Sequence, residues 1–232
     1  MIDDFTTLDL IALVAFFAVW AGYSVLFEGR FRPKNSINAR MVEVREMWMA
    51  RLLERENRVM DAQLISQSIR TAGFFASTSM IIIAALAGVL GSADTIHAAT
   101  ANISVLRPGG SQELFEFKVF VLLAVFVFAF FKFTWAIRQF SYFSAIVGSA
   151  PPSNGKPADR TIAKRMALIR SHAVWELNGG VRAYYFALAA LGWFVHPGLF
   201  IAMTVVMTGV LIKRQLFSAT ARAIVDHIDH LS

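Results

Sequence analysis

The chain has 232 residues, of which 56% are hydrophobic and 16% charged, with 21 Phe, no Cys and a formal net charge of +6. A soluble domain carries charge on roughly a quarter of its residues, so this chain lacks the polar surface needed to coat a globule in water. Disorder, collagen-like repeats, disulfide scaffolds and thiolate metal sites are excluded by the same figures. The composition predicts an all-α, polytopic helical membrane protein built as a single membrane domain.

Taken in chain order, the first apolar run, Leu10 to Phe27, is free of charge and follows an acidic start at Asp3, Asp4 and Asp9. It lacks the basic n-region of a secretory signal and predicts an uncleaved span over about 8–27. Residues 38–70 contain neither Gly nor Pro, and Met41, Val44, Trp48, Leu52, Val59 and Ile69 fall on one helical stripe. The spacing predicts a long amphipathic cytoplasmic helix running unbroken into a second span at 71–93. In that span Ala84, Gly88 and Ser92, four apart, allow a close helix neighbour.

Ile96, Ala99, Ile103 and Leu106 predict a short interfacial helix, stopped by Pro108-Gly109-Gly110. A third span over 114–137 carries Glu116, Lys118 and Lys132 within about a turn of its ends. The turn-rich segment 151–155 is followed by Asp159, a predicted N-cap for a second cytoplasmic helix over 158–178. Ile162, Met166, Ile169 and Ala173 form its apolar face, Lys164, Arg165 and Arg170 lie off it, and Gly179-Gly180 is expected to end it.

The last apolar run, Ala183 to Ile212, is broken only by His196-Pro197-Gly198. A hairpin of two short spans, 181–195 and 199–216, fits better than one helix of ~45 Å. Segment 28–70 carries nine Lys and Arg and segment 138–182 seven, whereas 92–113 carries Arg107 alone. Basic residues are retained inside, which predicts five spans in a cytoplasmic membrane, with the N-terminus outside and the C-terminus inside. Four spans with a kinked last helix is the alternative.

Elbow, zincin, Walker and dinucleotide motifs are absent from the sequence. No cofactor and no nucleic-acid partner is expected, and the chain reads as a binder more readily than as an enzyme. His227 and His230 in the tail have metal-ligand spacing, but a solvated helix end explains them as well. The stronger candidate comes from topology, which brings the start of the second span (Gln63, Gln67, Arg70, Thr71), the end of the third (Lys132, Thr134, Trp135, Arg138, Gln139) and the start of the fourth (Asn178, Arg182, Tyr184, Tyr185) to one boundary.

Lys132, Trp135 and Gln139 are expected to point together, whereas Lys132 and Arg138 lie six apart. Lys132 requires Asp61, Glu176 or an external anion as its partner. Free N–H groups after Gly179-Gly180 would favour an anion too. The expected ligand is an anionic small molecule or a lipid headgroup bound by Lys132, Arg138, Gln139, Asn178, Arg182, Arg70, Gln63 and Asp61. Against this stand snorkelling of Lys132 and Arg138 to bulk lipid, and internal ion pairs of Asp61, Glu176 and Arg182. Tyr184, Tyr185, Trp135 and Trp193 read as interface anchors.

Two other functions are compatible with this pattern. One is an assembly subunit that docks a partner protein, or another copy of itself, through its cytoplasmic helices. The other is a lipid or polyprenyl-phosphate enzyme drawing on Asp61, His172 and Glu176.

Four stretches, NRVMDAQL at 57–64, FFASTS at 74–79, FKFTW at 131–135 continued by Arg138-Gln139-Phe140, and GVRAYYF at 180–186, resemble domain-of-unknown-function family 599. The resemblance covers roughly 8–220, with the four motifs in the expected order. It implies a multi-span bacterial inner-membrane protein and carries over no activity, substrate or catalytic residue.

Overall fold

The computed structural model describes residues 5–28, 33, 36–100, 111–152, 157 and 159–231, and among them no strand occurs. The helices are α1 (Thr7–Glu28), α2 (Ile37–Glu54), α3 (Val59–Gly91), α4 (Ala93–Thr100), α5 (Gln112–Gly148), α6 (Arg160–Leu191), α7 (Pro197–Leu216) and α8 (Ala219–Leu231). The stretches Thr7–Phe27, Val59–Gly91, Gln112–Gly148 and Pro197–Ile228 are long and apolar enough to cross a bilayer. At 1.5 Å per residue α3 is ~50 Å long and α5 ~55 Å, well beyond a ~30 Å hydrocarbon core.

Helix α3 packs along α5, and α6 is the axis of the bundle, packed on α5, α2 and α7. Its apolar half contributes Ala183, Phe186, Ala187 and Ala190 to the main core. There they meet Ala12 and Phe16 of α1, Val125, Ala129 and Phe133 of α5, and Phe200 of α7. Aromatic rings fill this layer, with Trp20 stacked on Phe186 at 5.1 Å and Phe75 on Phe133 at 5.2 Å. A second core joins α2, α3, α5 and α6 at their polar halves, around Met49, Leu52, Ile65, Phe143 and Met166.

Three expectations are corrected. The helix expected over 38–70 is two helices, because polar side chains break it where neither Gly nor Pro stands. Arg58 donates from Nε to the Leu52 carbonyl at 3.2 Å and from its Nη atoms to the carbonyls of Ala150 (3.1 Å) and Pro151 (2.6 Å). The Asn57 side chain accepts from the Val59 N–H at 2.9 Å, so a new helix starts there. Val59, expected on the apolar stripe, is 62% exposed. From Val59 onward α3 does continue unbroken through Arg70 into the apolar stretch.

Gly179-Gly180 does not end a helix: both residues lie inside α6. A Cβ on Gly180 would stand 2.5 Å from Cε1 of Phe133, so the glycine exists to let α5 come close. The third correction concerns Trp193 and Tyr184, which are core groups rather than interface anchors. Trp193 is buried and its indole N–H donates to Asp9 Oδ1 at 2.6 Å, while the Tyr184 hydroxyl shares a 2.9 Å hydrogen bond with Ser79.

Other local readings hold. Asp159 caps α6 by accepting from Thr161 N–H at 2.8 Å. The run 183–212 breaks into two helices at His196, whose Nδ1 accepts from Gly198 N–H at 3.0 Å with Pro197 in the first turn of α7. Ala84, Gly88 and Ser92 are exposed, and among the described residues nothing lies within 4 Å of where a Gly88 Cβ would stand. The interfacial helix begins as α4, and its continuation over 101–107 lies outside the described residues.

Gly180→Ala should therefore lower stability by about 1–3 kcal/mol through overpacking against Phe133. Gly88→Ala, with nothing within 4 Å of its added Cβ, should leave stability unchanged or slightly raised. Thermal unfolding of both variants in mild detergent checks the contrast.

Candidate functional site

Along α5, Phe128, Phe131, Trp135, Arg138 and Tyr142 recur at steps of three and four and form one stripe. Together with Lys132, Thr134, Ile137 and Ser141, and with Glu176 from α6, they line an open groove of about 950 Å³. Its rings are turned outward: Phe131 is 64% exposed and Trp135 49%. The hydroxyls of Thr134 and Ser141 donate back to the carbonyls of Phe130 (3.1 Å) and Ile137 (3.0 Å), as Ser and Thr do inside helices.

Charge in the groove is unevenly balanced. Lys132 Nζ donates to Glu176 Oε2 at 2.9 Å and lies 5.5 Å from the centre of the Phe128 ring. Arg138 Nε donates to the Tyr142 hydroxyl at 2.8 Å, with its guanidinium over the same ring, and no carboxylate of the described residues pairs with it. Two cations and one carboxylate leave the groove with one net positive charge, on Arg138.

The other residues expected at the site lie elsewhere. Asp61 is fully buried and accepts from Arg55 Nη1 at 2.7 Å and from Trp48 Nε1 at 2.6 Å, beside α2. Arg70 is exposed and donates to Ser66 at 2.8 Å, and Gln63 is exposed on the same helix. Asn178 donates to Asn38 at 3.4 Å. Arg182 is 6% exposed, with its guanidinium over the Tyr23 ring of α1. Its Nη2 and the stem of Lys132 both lie about 3.5 Å from where a Gly179 Cβ would stand, so these two cations are neighbours behind the groove.

Gln139 is half-buried and does not line the groove, whereas Lys132 and Arg138 both do despite their six-residue spacing. The stripe centres on Trp135 and Arg138, and the long aliphatic stem of Lys132 reaches it from the side, where Glu176 holds the ammonium. Since Gly179 and Gly180 are helical, no free helix N-terminus presents N–H groups there. Asp61 and Glu176 are engaged by different cations, Arg55 and Lys132. Among the described residues no group of three or more His, Asp or Glu is arranged to hold a metal.

Sequence reasoning missed Tyr142, Phe128 and Phe131. The signal was the three-and-four spacing of aromatics with Arg138, hidden because 21 Phe produce many such patterns.

A helical protein with four membrane-length helices and an outward-facing cationic and aromatic groove is the class these features define. The chain belongs to the family described as protein of unknown function, DUF599, whose model matches residues 11–220. No curated protein and no solved structure matches it.

The two ion pairs differ in burial, and their removal should differ accordingly. Asp61→Asn withdraws the buried carboxylate that Arg55 and Trp48 share and is expected to cost about 1–3 kcal/mol. Glu176→Gln acts on a pair about one quarter to one third exposed and is expected to cost under about 1 kcal/mol. Unfolding midpoints measured side by side test that order.

Proposed function

We propose that the chain is a multi-pass protein of the bacterial inner membrane that binds an anionic lipid in the α5 groove, headgroup at Arg138 and acyl chain along the aromatic stripe. The uncompensated charge of Arg138 at the polar end of an outward-facing apolar groove carries this reading. A guanidinium beside a phenol hydroxyl is a suitable partner for a phosphate, and the exposed Phe131 and Trp135 suit hydrocarbon.

A second feature supports an amphiphile over a free ion. Phe128 is also a wall of an apolar crevice of about 330 Å³ between Phe17, Trp20 and Ala21 of α1 and Ala124 and Val125 of α5. From Ala124 to Tyr142 the stripe is ~27 Å long, enough for a headgroup and most of one acyl chain. The basic segments between helices favour an orientation with N-terminus outside and C-terminus inside, and five crossings, with the C-terminal half of α6 as the fourth. Arg138 then sits at the inner leaflet, where anionic lipids and basic residues attract each other.

Native mass spectrometry of the protein in mild detergent tests the proposal. Wild type should retain phosphatidylglycerol in preference to phosphatidylcholine, and Arg138→Gln should reduce that preference about fivefold, the worth of one interfacial cation. Lys132→Met should reduce it further by leaving Glu176 to repel the headgroup. Equal retention of the two lipids by wild type, or an undiminished preference in Arg138→Gln, would rule the groove out.

A further inference from the structure

On the opposite face of α5 from Arg138 lies a second pocket, of about 320 Å³, between α3 and α6. Phe140, two residues and about 200° around the helix from Arg138, is one of its walls. Gln67, Ser68 and Thr71 of α3 line it across from Arg170 of α6, and Trp48 of α2 closes one side. Sequence alone sets Arg170 with Lys164 and Arg165 on a solvated face, yet the structure turns it inward onto Trp48.

The guanidinium of Arg170 lies 4.3 Å from the centre of the Trp48 ring. That ring is held in place from behind, since its N–H donates to Asp61, which in turn is paired with Arg55. The nearby carboxylate is therefore already taken. Arg170 Nε is buried without a hydrogen-bond partner among the described residues. Burial also pulls its pKa down to about 10, below the ordinary guanidinium value, which leaves it charged at neutral pH but poorly solvated. A cation in that condition is relieved by an anion.

The facing groups supply the rest. Gln67 is exposed and offers an amide with two donors, and the hydroxyls of Ser68 and Thr71 donate to the carbonyls of Leu64 (3.2 Å) and Gln67 (3.0 Å) and are able to turn. A planar fork opposite amide and hydroxyl donors recognises a phosphate or carboxylate oxyanion better than a spherical ion. We infer that the pocket between α3 and α6, with Arg170 facing Gln67, Ser68 and Thr71, is a binding site for a small oxyanion. The oxyanion is a free phosphate or the phosphate of a lipid headgroup. The site is separate from the α5 groove and does not rest on it.

The full-length protein in mild detergent is titrated with sodium phosphate against sodium chloride at matched ionic strength, with unfolding followed by tryptophan fluorescence. A parallel series compares nanodiscs of phosphatidylcholine with nanodiscs containing phosphatidic acid. A saturable rise in unfolding temperature is expected, with phosphate if the free ion is the ligand and only with phosphatidic acid if the headgroup is.

Arg170→Gln should weaken the response roughly tenfold or more, the worth of a charged hydrogen bond. Arg170→Lys should recover part of it. Gln67→Leu, at an exposed position, should weaken it severalfold and decides the matter should Arg170→Gln fail to fold. Both series are repeated in an Arg138→Gln background, where the α5 groove is weakened; the effects of Arg170→Gln and Gln67→Leu should persist there, so failure here is distinguishable from failure of the groove. The proposal is overturned if neither phosphate nor phosphatidic acid stabilises wild type, or if Gln67→Leu and a folded Arg170→Gln respond as wild type does.

Discussion

The close approach of α5 to α6 at Gly179, Gly180 and Phe133 is the constraint on which the rest of the structure depends. Phe133 occupies the space a side chain at 180 would fill, and Lys132 lies along the gap left at 179. That proximity brings Lys132 within 2.9 Å of Glu176, one turn earlier on α6. Small residues continue the seam, with Ala136 and Ala173 buried nearer the polar end and Ala129 and Ala183 buried nearer the apolar end. In hydrocarbon such packing is the main source of helix association, because burying an apolar side chain gains little there.

With α5 and α6 locked, the remaining helices meet a fixed surface. Asp9 at the start of α1 reaches Trp193 beyond the end of α6, and Lys118 of α5 donates to the Trp193 carbonyl at 3.1 Å, so three segments share one polar knot. At the other end α2 lies across the bundle, with Arg45 donating to Ser171 at 3.2 Å and Arg58 tying the end of α2 to the end of α5. The cations are thereby sorted by partner. Lys132 and Arg55 have carboxylates, Arg58 has carbonyls, and Arg138 and Arg170 rest on aromatic rings. The last two line open pockets, and for that reason they carry the binding proposals.

Helical class, the cap at Asp159, the break at His196 and the continuity of α3 past Arg70 were legible in the sequence, because composition, capping and Pro position act locally. The break at Arg58 was not, since its cause is an arginine bonded to carbonyls nearly a hundred residues away. Gly179-Gly180 was misread for a related reason. A glycine pair at a helix end and one under a neighbouring phenylalanine look alike until the neighbour is known. Lys132 and Glu176 were correctly paired as a possibility, but Asp61, Arg182 and Asn178 were grouped with them on depth alone, and depth leaves the direction around a helix undetermined.

The account requires the polar halves of α2, α3 and α6 to lie together on one side of the bilayer, with the α6–α7 turn on the other. Because the chain has no native Cys, single cysteines at the exposed positions 54, 164 and 196 report this directly. A membrane-impermeant maleimide applied to spheroplasts should label the cysteine at 196 at once, and those at 54 and 164 only after the membrane is opened. Labelling of all three from the same side would contradict the arrangement, and with it the placement of Arg138 and Arg170 at the inner headgroup layer.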